Sequence, residues 1–143
     1  MAGVVLRVMP KRTLDFTNVS SGTGQAEEII IAQGIDISSW REASLMVRTH
    51  ANNISGAIGE IDIYAYVEGR TAEDPGILFA QTTTQLGLVP ITSATGAPAY
   101  VVAPLPSNLG GMLKIAAKGT RTSSLAGNTI KCDISIDLSL KSA

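Results

Sequence analysis

A single cysteine, Cys132, and a single histidine, His50, occur in 143 residues. One cysteine permits no internal disulfide and no thiolate cluster, and one of each is too few for a zinc site of the usual kind. Aromatic residues make up 4% of the chain and charged residues 16%, well under the roughly 25% charged residues of ordinary soluble domains. With a formal net charge of −1, the chain lacks the basic excess that nucleic-acid binders use against phosphates. It equally lacks the acidic excess of a disordered tail. No stretch approaches the roughly 20 apolar residues of a membrane span. The start, Met1-Ala-Gly-Val-Val-Leu-Arg-Val-Met-Pro10, has too short an apolar part for a secretory signal, and Arg7, Lys11 and Arg12 fall within or after it. The expectation is a protein made in a cytoplasm, with no nucleic-acid and no membrane partner. Little charge also means little repulsion between copies, so self-association is comparatively easy.

What the chain does have is period two. From Thr129 to Lys141, Ile130, Cys132, Ile134, Ile136, Leu138 and Leu140 alternate with Lys131, Asp133, Ser135, Asp137 and Ser139, the pattern of a half-buried antiparallel strand. Gly59 to Glu68 repeats it, with Ile61, Ile63, Ala65 and Val67 inward and Glu60, Asp62, Tyr64, Tyr66 and Glu68 outward. Ser44 to Ala51 sets Leu45, Val47 and Thr49 against Met46, Arg48 and His50. Shorter candidate strands are Val4 to Met9, Glu27 to Gln33, Ile77 to Thr83, Leu86 to Ile91, Ala99 to Ala103 and Met112 to Lys118. Clusters such as Asn52-Asn-Ile-Ser-Gly56, Asp74-Pro-Gly76, Pro104-Leu-Pro106 and Gly127-Asn128 supply turns between them. Eight or nine short strands without a long amphipathic helix predict one all-β domain over 1–143, a single antiparallel β-sandwich. Ser38 to Glu42 is compatible with one helical turn capped by Ser38 or Ser39. Pro10 to Gln25 carries little pattern, and residues 1–25 read either as an extended N-terminal arm or, in their later part, as a crossover between sheets.

Motifs for chemistry are scarce. There is no Gly-x-Ser-x-Gly elbow and no phosphate-binding glycine loop. His50, beside Arg48 on a polar strand face, reads as a solvated or interface residue. Glu60, Asp62 and Glu68 share one strand face and Asp133 and Asp137 another. A paired-acid glycosidase would need two such carboxylates across an aromatic-walled cleft, whereas a solvated sheet face needs only their charge. Glu68, Glu73 and Asp74 bracket a loop with oxygen ligands of the kind calcium takes, but without the spacing of a calcium-binding loop. Cys132, in its alternating run, reads as a small buried hydrophobe. Trp40 precedes a strand and reads as a plug on one end of the core or as an anchor for a partner, with Asp36 accepting bonds in the same turn.

Gly34-Ile-Asp-Ile-Ser-Ser-Trp-Arg-Glu-Ala, followed by Leu45-Met-Val-Arg-Thr-His50, resembles a turn-plus-strand signature of jelly-roll sandwiches in carbohydrate-binding modules and small phage virion proteins. Val67-Glu-Gly-Arg-Thr-Ala-Glu-Asp-Pro75, followed by Leu78-Phe79, is more similar to the phage structural group. The resemblance implies a jelly-roll-like head-decoration, cement or related virion component. It carries no catalytic motif and transfers no binding residue.

The expected function is therefore a non-enzymatic virion protein without a cofactor, which decorates or cements a phage-like capsid. Its expected partners are copies of itself, as a trimer, and a major capsid protein or another virion protein. Its expected location is the virion, after synthesis in the host cytoplasm. Arg7, Lys11, Arg12, Trp40, Tyr64 and Tyr66 are the candidate partner contacts. The alternatives are a carbohydrate- or receptor-binding module with Tyr64 and Tyr66 as its stacking platform, and a tail or connector component of the same particle.

Overall fold

A computed structural model describes residues 3–19, 25–56, 59–70, 78–80, 85–109, 111–121 and 129–142. The described residues contain nine strands and no helix: β1 (Gly3–Asp15), β2 (Gln25–Asp36), β3 (Glu42–Ile54), β4 (Gly59–Arg70), β5 (Leu78–Ala80), β6 (Leu86–Ile91), β7 (Ala99–Pro104), β8 (Met112–Arg121) and β9 (Ile130–Lys141). They form a four-stranded sheet in the order β1-β9-β3-β7 and a five-stranded sheet in the order β2-β8-β4-β5, with β6 also on β4. β5 pairs with Glu68–Arg70 and β6 with the part of β4 from Ile61 to Ala65, so the two share one strand position. All pairings are antiparallel. Apart from β4 and the β5/β6 position beside it, which share the five-stranded sheet, successive strands alternate between the sheets, which is the connectivity of a jelly roll.

Alternation builds the core. The inward residues of β9, from Ile130 to Leu140, are all buried, as are Leu45, Val47 and Thr49 of β3 and Ile61, Ile63, Ala65 and Val67 of β4. Leu113, Ile115 and Ala117 of β8 complete the opposing layer. Each such Ile, Leu or Val stabilises the fold by roughly 1.5–3 kcal/mol when fully removed from water. The β9 side chains lie between β1 and β3 in a central strand position, which is why its pattern is the cleanest in the chain.

Two expectations are corrected here. Residues 3–15 are not a free arm: they are β1, hydrogen-bonded along β9. The pattern in this stretch is weak because the pairing register shifts between Arg7 and Met9 and again between Met9 and Arg12, and each bulge breaks the two-residue period. Beyond β1, Phe16 N–H donates to the Ile130 carbonyl at 2.8 Å, and Phe16 and Val19 are buried. The described part of the segment therefore belongs to the sandwich and leads from the four-stranded sheet towards the other; residues 20–24 lie outside the described residues. Ser38 to Glu42 forms no helical turn. Asp36 Oδ1 accepts from both the backbone N–H and the hydroxyl of Ser38, which closes a short turn, and Glu42 already begins β3.

Candidate functional site

The outer side of the five-stranded sheet holds the tyrosines. In the β4–β8 ladder Tyr64 lies opposite Ala116, Tyr66 opposite Lys114 and Asp62 opposite Lys118. The small Ala116 side chain leaves room for the Tyr64 ring to lie down on the sheet, and Tyr64 has 0% exposure. Its hydroxyl donates to Glu28 Oε2. Burial, with that hydrogen bond to Glu28, raises the phenol pKa above its usual range. Tyr66 meets Tyr64 edge-on, with centroids 5.2 Å apart at 76°. Lys114 Nζ lies over the Tyr66 ring, 4.8 Å from its centroid, a cation–π arrangement.

The stacking platform expected of Tyr64 and Tyr66 is thus corrected. Period two placed both on the outer side, but Tyr64 is covered and Lys114 occupies the face of Tyr66. Glu68, expected on a solvated face, is buried as well. Its Oε1 accepts from Gln33 Nε2 at 2.9 Å and lies 4.0 Å from Lys114 Nζ. Sequence reasoning missed this Gln33–Glu68–Lys114–Tyr66 cluster, because Gln33 reaches it from β2, two strands away from β4.

The carboxylates have separate surroundings. Asp62 is pushed up to about 6, first by burial and then by the neighbouring Glu60 carboxylate, with Lys118 opposing. Asp133 accepts from Thr13 Oγ1 at 2.6 Å, and Asp137 pairs with Arg7 at 2.6 Å. Glu73 and Asp74 lie outside the described residues. Among the described residues no group of three or more His, Cys, Asp and Glu side chains is placed to hold a metal ion, and no helix is long and apolar enough to cross a membrane.

The four-stranded sheet carries the remaining candidates. Arg7 sits on β1 with its side chain 57% exposed despite its ion pair, and Lys11 and Arg12 are exposed further along the strand. His50 exchanges a hydrogen bond with Ser135 Oγ at 2.9 Å; lost hydration, then the cations Arg48, Lys11 and Arg7, hold its pKa below the usual value. Trp40 is half-buried and packs against the core, and its backbone N–H donates to Ile37 at 3.0 Å. The six expected contacts therefore do not converge. Arg7, Lys11 and Arg12 belong to one sheet, Tyr64 and Tyr66 to the other, and Trp40 to the turn before β3.

Unexpectedly, apolar exposure gathers on sheet rims. Tyr100, Val101 and Val102 of β7 are 53%, 42% and 51% exposed, and Val4, Val5 and Leu6 of β1 are also exposed. These are the two outer strands of the same sheet. Arg48, Pro98, Ala99 and Tyr100 line a shallow hollow beside β7.

No protein-family model and no curated protein matches the chain. Solved structures do. The infectious bursal disease virus T13 particle contains a chain 9% identical to this one, aligned at a TM-score of 0.56 over 97% of this chain and 30% of that chain. The VP2 subviral particle of the same virus aligns at 0.55, with 13% identity, over 97% of this chain and 32% of that chain. A xylan-binding module, 13% identical, aligns over 99% of this chain and 100% of that chain at 0.44, too low to carry a fold argument. The chain thus spans about a third of the length of the viral capsid chains it matches. At these identities the likeness is one of fold: this chain shares its β-sandwich with a viral capsid protein.

Proposed function

We propose that the chain is a structural subunit of a virus-like particle, a decoration or cement component that works through multi-copy contacts rather than catalysis. The observation that carries this reading is the jelly-roll connectivity, aligned across 97% of the chain with a capsid subunit. The exposed apolar rims of the four-stranded sheet support it, because contiguous exposed apolar surface suits a contact with another molecule. Many small contacts, each weak, gain strength when repeated around a symmetric shell. Arg7, Lys11 and Arg12 would then face carboxylates of a neighbouring subunit.

The test is composition. Particles purified from cells that express the gene should contain this polypeptide in many copies, in constant ratio to the major shell protein, when their peptides are quantified by mass spectrometry. Its absence from such particles would overturn the proposal.

A further inference from the structure

β7 differs from the rim strands β1, β2 and β6, and with 6 residues it is longer than the 3-residue β5. β1 is bulged and carries Arg7, Lys11 and Arg12. β2 has register shifts and carries Glu27 and Glu28. β6 is interrupted by Pro90 and by Gly87 at a φ of 60°. Bulges, prolines and charges are the devices that keep sheet edges from pairing with other chains. β7 reads Ala-Tyr-Val-Val-Ala-Pro, with no charge, no register shift against β3 and no proline before its last residue.

The free edge of β7 can be assigned residue by residue. Leu105 N–H donates to the Ala43 carbonyl at 2.9 Å, and the register continues as Leu45 opposite Ala103 and Val47 opposite Val101. Hydrogen-bonded and non-bonded pairs alternate in an antiparallel ladder. Val101 and Ala103 therefore spend their backbone groups on β3. Tyr100 and Val102, opposite Arg48 and Met46, direct theirs to the free edge.

We infer that β7 pairs with β7 of a second copy of this chain, antiparallel about a two-fold axis at Val101. This rests on the proposed multi-copy assembly and names one of its contacts. In this register Tyr100 opposes the second copy's Val102, and the reverse, so the two residues exchange backbone bonds across the axis. Val101 meets Val101 as a non-bonded pair. Pro98 and Pro104 lie three residues on either side of Val101, so each opposes the other, and neither has an N–H to donate. The prolines end the ladder at both sides, and no like charges meet within it. The apolar rings and methyls of Tyr100 and Val102 leave water together, and the two four-stranded sheets become one continuous sheet.

The experiment uses charge pairs in the full chain. Tyr100→Lys with Val102→Lys places like charges opposite each other twice in the dimer, and Tyr100→Glu with Val102→Glu does the same. Each variant alone should weaken association by roughly tenfold or more in sedimentation equilibrium, and an equal mixture of the two should restore it. Far-ultraviolet circular dichroism should show the wild-type sheet spectrum, since both positions are half exposed. Separately, Val101→Cys should form a disulfide-linked dimer on mild oxidation, because a non-bonded pair brings the Cα atoms to about 4.5 Å. Val5→Cys on the β1 rim should not, and Cys132 is buried. Wild-type association in both charged variants, or no Val101→Cys cross-link, would overturn the β7 contact while leaving an assembling wild type consistent with the particle reading. A wild type that remains monomeric at every concentration would overturn both.

Discussion

Ala116 stands directly opposite Tyr64 in the β4–β8 ladder, and both are fully buried on the outer side of their sheet. A methyl across from a phenol lets the ring cover the strand, and the phenol hydroxyl donates a hydrogen bond to Glu28 Oε2. Tyr64 is therefore part of the structure that holds β2, β8 and β4 together. Tyr64→Phe should cost about 1 kcal/mol, the net worth of one hydrogen bond. Tyr64→Ala should cost about 3–5 kcal/mol, as for other large buried aromatics. Urea denaturation of the two variants checks both figures.

Asp62 supplies a pH dependence. Its folded pKa of about 6 lies above the ordinary aspartate value of 3.8, so between those values the native state binds more protons than the unfolded chain. Stability must then fall as pH rises through this window, and the ionised carboxylate burdens the fold at neutral pH. After allowance for partial solvent screening, the burden is on the order of 1–2 kcal/mol. Asp62→Asn should be more stable than wild type at about pH 7, with the advantage shrinking towards about pH 4. Urea midpoints across that range measure it.

Much of this architecture was legible in the chain, for local reasons. β9 and β4 each bury one face against the opposite sheet, so their period-two patterns locate them nearly to the residue, and β6 begins and ends where Leu86 and Ile91 do. β1 was half legible, because its bulges put Lys11 and Arg12 out of phase. Tyr64 and Glu68 show a different limit. Alternation tells which side of a sheet a residue takes, but not what Ala116, Gln33 or Lys114 will lay over it from other strands. The β7 rim was invisible for a related reason: an uncharged strand reads alike whether a neighbour covers it or water does.

Phe16 and Gly119 lock the chain after β1 onto the five-stranded sheet. A Cβ built on Gly119 would lie 2.1 Å from Phe16 Cγ and 2.4 Å from its Cβ and Cδ1. The ring is buried and has little space to retreat. Gly119→Ala should cost about 1–3 kcal/mol through overpacking. Gly96→Ala, whose added methyl meets only Ala99 Cβ at 4.0 Å, should be close to neutral. For the same reason, removing residues 1–25 should abolish cooperative unfolding, since it deletes β1 and Phe16 together. Thermal melts of the three variants separate these outcomes.

The Cys132 thiol is pushed up to about 11, chiefly by burial, with Asp133 adding to the rise and a backbone bond from Asn53 opposing it. It also donates to Asn52 Oδ1 at 3.4 Å. A thiol in that state offers almost no thiolate at about pH 8. Ellman's reagent should leave the native protein unmodified and react fully once urea unfolds it, with a midpoint that matches the unfolding curve.

A particle subunit of this kind requires that copies of the polypeptide hold one another. Static light scattering of the purified full chain over a wide concentration range tests that most directly. A mass that climbs with concentration, or sits at a defined multiple of 14.9 kDa, is the predicted result. A mass that stays at the single-chain value throughout would contradict it.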